Sequence, residues 1–275
     1  MKSLPKSFAI AALAALGALS LASGLAAQDV SFKDPAGDDK GPGSYTYPTD
    51  TVYKKGSFDI TGLDVKKKGD KVEIAVTTNA SLEDPWRMGT GFSVQMAFVY
   101  IDTDHKEGSG HTEGLAGTNV RFAPADAWDK VVILSPQGAS RVKSEVDTKA
   151  AAVQGDVVVP GRVKGAGRAI SATVEASALG AGDPSQWGYQ VVMQSNEGFP
   201  AGTDLLTRKV NEYEGQHRFG GGTDTDCDPH VIDVLAGEGT GAAAEAQAQY
   251  DMLKYECGPD GSSKQMATLS MVRKK

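Results

Sequence analysis

Residues 91–102 read GFSVQMAFVYID. Phe92, Val94, Met96, Phe98 and Tyr100 alternate along this run and line one face of a strand, while Ala97, Val99 and Ile101 make the opposite face apolar too. Successive side chains of a strand point to opposite faces, so a strand apolar on both is covered on both and is central to its sheet. Working outward, Phe58–Val65 and Lys71–Thr78 flank the turn Lys68-Gly-Asp70 and read as a hairpin. In its second arm Val72, Ile74 and Val76 alternate with Glu73, Ala75 and Thr77, the period of a half-buried strand. Further strands are expected at Lys130–Ser135, Asp156–Lys164, Arg168–Ala176, Trp187–Gln194 and Gln265–Arg273, and one helix at Ala242–Tyr255. Short apolar runs separated by Gly, Asp, Asn and Pro suit many strands joined by turns. The expected fold is mainly β: an antiparallel β-sandwich with long loops and one helix near the C-terminus, occupying residues 28–275 as a single domain.

The first 27 residues read as a signal peptide. Lys2 and Lys6 form a positive start, residues 8–21 are apolar, and small residues follow at Ser23, Gly24, Ala26 and Ala27. A membrane-spanning helix needs roughly 20 consecutive apolar residues, and no later stretch is apolar enough, so no span is expected after cleavage. The expected location is periplasmic or extracellular. Loss of Lys2 and Lys6 takes the formal charge from −7 to −9. Such acidity argues against nucleic acid and anionic lipid as partners and is compatible with cations or neutral ligands. The two cysteines, Cys227 and Cys257, suit one disulfide in an oxidising compartment. Neither CxxC nor CxxCH occurs, so nothing indicates thioredoxin-like chemistry or c-type haem attachment.

Three acidic loops stand out. Asp34, Asp38 and Asp39 lie within six residues spaced by Pro and Gly, an arrangement that can curl round calcium, which takes about six to eight oxygen ligands. The alternative is a solvated acidic turn. Asp102 and Asp104 leave the end of the central strand and offer a second calcium position, with His105 and His111 nearby in a Gly-rich loop. The histidine spacing is weak evidence for zinc or copper, and solvent-exposed loop histidines are the simpler reading. Asp224, Asp226 and Asp228 alternate beside Cys227, but the rest of an EF-hand pattern is absent.

The chain has no GxSxG, P-loop or GxGxxG after a strand. A two-carboxylate glycosidase remains an alternative, but no pair of acids stands out. The expectation is a non-enzyme. Trp86 and Trp128, the first in a loop and the second at a strand entry, offer ring faces that could stack on sugars. Core packing is the other fate open to each. Trp187 alternates with Tyr189, Val191 and Met193 and belongs in the core.

Four blocks carry a resemblance: DPAGDDKGPGSYTYPT (34–49), GSFDITGLDV (56–65), GFSVQMAFVYIDTD (91–104) and AWDKVVILSPQG (127–138). In order and spacing they resemble the C-terminal DOMON-like domain of glucodextranase, also found appended to amylopullulanases. The resemblance implies a β-sandwich similar to calcium-bearing carbohydrate-binding modules, an accessory role without a catalytic centre, and calcium near Asp34, Asp38 and Asp39. Tyr45 and Tyr47, in the first block, join Trp86 and Trp128 as candidate ligand-binding residues. The implied partner is a polysaccharide or envelope glycan, or a separate exported enzyme. Because related sandwiches bind haem, a periplasmic haem-binding partner of a redox enzyme is the alternative; Met96 with His217 or His230 would supply its axial ligands. Haem is not the expected cofactor. The segment from Asn211 to Cys257 has no evident role in sugar binding.

Overall fold

Strands rich in alternating Val, Ile and Leu bury one face and pair through the other dimension of the backbone, and this chain builds two such sheets. A computed structural model describes Met1 and residues 29–236 and 242–274. The expected signal peptide lies outside the described residues.

In chain order the strands of the first half are β1 (Val30–Lys33), β2 (Ile60–Lys68), β3 (Lys71–Thr78), β4 (Gln95–Asp102), β5 (Val120–Phe122), β6 (Lys130–Leu134) and β7 (Val157–Val158). The second half adds β8 (Val163–Ala166), β9 (Ala169–Glu175), β10 (Gly188–Ser195), β11 (Asp233–Val234), β12 (Glu256–Cys257), β13 (Ser263–Gln265), β14 (Ala267–Leu269) and β15 (Val272–Arg273). One sheet has the order β1-β2-β3-β9-β8 and is antiparallel throughout. The other has the order β11-β10-β4-β6-β7, with β15 also paired to β10. Two pairings depart from the antiparallel expectation: β6 with β7, and β5 with β14, run parallel.

The sheets face each other across a core that takes Leu63 and Val65 of β2, Val72, Ile74 and Val76 of β3, and Val99 and Ile101 of β4. The far face of the second sheet is buried as well. Met96, Phe98 and Tyr100 of β4 pack there with Trp128, Val131, Ile133 and two residues of helix α1 (Ala139–Lys149), Val142 and Val146. All of β4 is buried, as its doubly apolar sequence requires. Its start differs from the expected Gly91: residues 91–94 are irregular, and Phe92 and Val94 turn into the first core. Hydrogen bonds from Asn196 Nδ2 to the Ser93 carbonyl, 2.9 Å, and from Asn196 N to the Val94 carbonyl, 2.8 Å, hold that bend.

Other boundaries also move. The strand expected at Asp156–Lys164 divides into β7 and β8 at Pro160-Gly161, since proline cannot donate to a ladder. The run expected at Gln265–Arg273 is three short strands. The hairpin is as read, with β2 extending to Lys68 and the turn at Gly69, whose φ of 66° favours glycine. Two further helices join the one expected: α1 and the single turn α2 (Ala176–Leu179), while α3 covers Ala242–Met252. The two ends of the described fold meet, with Lys274 Nζ 3.5 Å from the Asp29 carbonyl oxygen.

Cys227 and Cys257 form the expected disulfide, with Cα atoms 5.4 Å apart. The segment whose role the sequence left open is a buttress. Gly220 exchanges backbone hydrogen bonds with Thr46, and the Tyr45 hydroxyl donates to the Pro229 carbonyl, so the loop after β10 clamps the block at 34–49.

Candidate functional site

The block at 34–49 lines a cleft of about 670 Å³, together with Lys55, Gly56, Asp59 and Asn79 from the entry to β2 and the end of β3. The loop is pinned from within. Gly41 has a φ of 56°, and a Cβ there would strike the Tyr45 ring. Gln249 of α3 reaches across to the loop, its amide donating to the carbonyls of Asp38 and Gly41 while its carbonyl oxygen accepts from Val234 N.

Asp59 is the most unusual group in the cleft. Its carboxylate is 1 % exposed. Oδ2 accepts from Gly37 N at 2.8 Å and from Asn79 Nδ2 at 3.0 Å. Oδ1 has no hydrogen-bond partner among the described residues. Burial, with the Asp39 charge beside it, pushes the Asp59 pKa up to about 6. A buried acceptor left unmatched costs free energy that a ligand donor would recover. Asp39, Lys40 and Lys55 add charge of both signs round the same opening.

Behind the cleft lies a buried carboxylate triple. Asp34, Asp38 and Asp233 place one oxygen each within 4.8 Å of the others. Asp34 Oδ1 accepts from Ala236 N at 2.8 Å, and Asp233 accepts from Ile60 N at 2.5 Å and Val234 N at 3.0 Å. Burial and the charges of Asp34 and Asp38 hold the Asp233 pKa well above the usual carboxylate range. With all three ionised, carboxylates at this spacing would repel strongly in a low dielectric, which, with burial, is why Asp233 holds its proton. A hard divalent cation with an all-oxygen preference matches the donor set and removes that repulsion. Asp39, expected as a third ligand from this loop, is not in the triple: its carboxylate accepts from the Tyr47 hydroxyl. The third member comes instead from Asp233, nearly two hundred residues along the chain.

Asp102 and Asp104 are brought together with Asp129, but a cation is already present. Arg273 Nη2 donates to Asp102 Oδ2 at 2.7 Å, and the same guanidinium meets Asp126. Asp129 Oδ2 accepts from the Thr103 backbone at 2.7 Å and its hydroxyl at 2.6 Å. This group therefore anchors β15 against β4. His105 is solvent-exposed, as expected, with Arg273 Nε donating to its Nδ1 at 2.6 Å; His111 is half-buried instead, its Nε2 2.8 Å from Asp156. Asp224, Asp226 and Asp228 do not converge. Asp224 accepts from Asn211 and Glu212, Asp226 pairs with Lys209, and Asp228 accepts from Thr223.

The aromatic expectations need correction. Trp128 is 1 % exposed and its indole donates to the Glu113 carbonyl at 2.9 Å, so it offers no face to a ligand. Tyr45 is buried. Tyr47 borders the cleft but packs edge-on against Phe58, with its hydroxyl accepting from Gly56 N and Phe58 N. Burial first, and neighbouring carboxylates second, push both phenols far above the ordinary tyrosine range. Trp86 is half-buried against Tyr53 and His217 and does not line the cleft. Of the residues named for haem, Met96 is fully buried in the second core, His217 meets the Trp86 ring edge-on, and His230 Nδ1 accepts from Val210 N.

Two packed sheets with a polar cleft among their connecting loops define a β-sandwich. The chain matches, over residues 30–272, the family described as the C-terminal, SLH-like binding module of glucodextranase, and it belongs to that family. None of the curated proteins matches it.

Proposed function

We propose that this is an exported, non-catalytic carbohydrate-binding protein that seats a neutral glycan in the cleft at residues 37–59 and 79. The observation that carries the reading is Asp59, a carboxylate in the lining of that cleft whose buried Oδ1 has no partner among the described residues. Sugar hydroxyls are donors that would satisfy it, with Asn79, Asp39 and Lys55 placed to bond their neighbours. The family supports a binding role, and the signal-like N-terminus supports export. Affinity electrophoresis in gels containing soluble α-glucans, with pull-downs on envelope polysaccharide, tests it. Retardation of the native protein, lost in Asp59→Ala, is expected; mobility independent of every glycan overturns the reading.

Calcium is the second part of the proposal, held by Asp34, Asp38 and Asp233 as a structural ion behind the cleft. Their burial and mutual repulsion support it. Because a bound ion stabilises the state that binds it, by about 2.7 kcal/mol at a hundredfold excess over Kd, EDTA should lower Tm and excess Ca²⁺ should restore it. An unchanged Tm on chelation removes the ion from the account.

A further inference from the structure

We propose that the outer face of the five-stranded sheet binds an anionic polysaccharide, at a surface separate from the cleft. Val72, Ile74 and Val76 of β3 fill the core, so the alternate residues Glu73, Ala75 and Thr77 face out. The register continues that outer face across the sheet. Lys66, Glu73 and Thr173 lie side by side, and Arg162, one residue before β8, extends the row. The next row is Asp64, Ala75, Ser171 and Lys164. Between β3 and the β8 edge these rows shape a shallow trough of about 560 Å³.

Charge is distributed unevenly on this face. Lys68 pairs with Glu73 at 2.5 Å and Lys71 with Glu175 at 3.7 Å, so those four charges offset one another. Lys33, Lys66, Lys164 and Arg162 make no ion pair among the described residues. Asp64 of β2 and Asp29, one residue before β1 and across from Lys66, are the outward acids of this face left unmatched by such a pair. Four unmatched cations against two unmatched anions stand on a chain whose formal charge is −7. A positive patch against an acidic background focuses anions onto itself.

The shape of the face selects among anions. Ala75 and Ala169 occupy central strand positions where β-branched or aromatic residues fit better. They keep the trough shallow and leave the hydroxyls of Ser171 and Thr173 reachable between the cations. No large apolar side chain faces out from these strands to enter a lipid surface, and no aromatic ring is there to stack a base. A second copy docked through the same face would set like charge against like. An extended sugar chain bearing carboxylate or phosphate groups meets all of these features.

The inference does not depend on the cleft, and the experiment separates the two. Binding of the full chain is measured at low salt by biolayer interferometry to immobilised polygalacturonate, a carboxylate polymer, to phosphomannan, a phosphate polymer, and to dextran. Tight binding to one or both polyanions is expected, weakening at least tenfold between 50 and about 300 mM salt as screening sets in. The triple reversal Lys66→Glu, Arg162→Glu, Lys164→Glu, at two exposed positions and one half-buried one, should abolish it while leaving Tm and neutral-glycan retention unchanged, whereas Asp59→Ala should leave polyanion binding intact. Unchanged polyanion binding in the reversal variant overturns the proposal. So does a native protein that ignores both polymers, or that binds anionic vesicles or single-stranded DNA more tightly than either.

Discussion

His230 shows how a single buried side chain ties stability to pH. It is 2 % exposed, and its Nδ1 accepts from Val210 N at 3.3 Å, which requires the neutral ring. Burial lowers its pKa, against the opposing pull of Asp228 and Asp226, while Lys209 adds to the lowering. The unfolded chain therefore takes up this proton first, so His230 favours the fold above the ordinary histidine value of about 6.5 and loses that contribution as pH falls below it. Asp228, whose pKa burial raises, acts in the opposite sense at lower pH. Asp59 and Asp233, whose pKa values are raised in the fold, also gain stability as pH falls, so the test is a difference: from pH 7.5 to pH 5.5 the denaturant midpoint of the native protein should fall relative to that of His230→Gln, and no relative change assigns the titration elsewhere. Phe98 makes a simpler case. It is fully buried in the second core, so Phe98→Ala should cost about 3–5 kcal/mol in urea unfolding. The sequence marked Phe98 by period alone, and it marked Asp34 and Asp38 by local crowding. It carried no sign of Asp233, because an acid between Ile232 and Val234 becomes part of a triple only when β11 is laid beside the N-terminal loop. Asp59 was missed for a related reason: an acid between Phe58 and Ile60 reads as an outward strand position, and only the packed loop at Gly37 and Asn79 buries it.

Elements with a strong period were legible, and elements held by tertiary contact were not. The hairpin of β2 and β3 could be read because both arms alternate over several residues and a Gly-Asp turn separates them. Helix α1 was missed. Its buried side is only Val142 and Val146, one turn apart, and β-branched residues are poor helix formers. The helix persists because those two valines fill the gap over the second sheet. The C-terminal run looked like one strand, but it has to cross from β12 and β13 to β5 and then to β10, and it breaks between each pairing. The disulfide matters at this scale, since it holds β12 to the buttress loop across a separation of 30 residues. Closing a loop of that size contributes roughly 3 kcal/mol in the chain-entropy picture. The double variant Cys227→Ala, Cys257→Ala should therefore lose about that much stability by chemical denaturation, and the reduced native protein should match it. A loss below about 1 kcal/mol would mean that the buttress holds without its covalent link.

At the scale of the whole molecule, the second sheet is the shared wall of two cores. Substitutions in β4 reach both, which is why its sequence is apolar on every side. The two surfaces proposed to bind lie elsewhere: the cleft where loops cross the sandwich, and the outward face of the five-stranded sheet. The contact between Lys274 and Asp29 bears on both. With the ends adjacent, a permutant joined by a short Gly-Ser link from residue 274 to residue 29, and opened at the exposed Gly108–Ser109 turn, should melt cooperatively within a few degrees of the native order. A non-cooperative melt would show that the junction is strained. If the permutant folds, the molecule has a single point of suspension. A tether fixed to either end leaves from the same pole, beside the β1 edge of the five-stranded sheet.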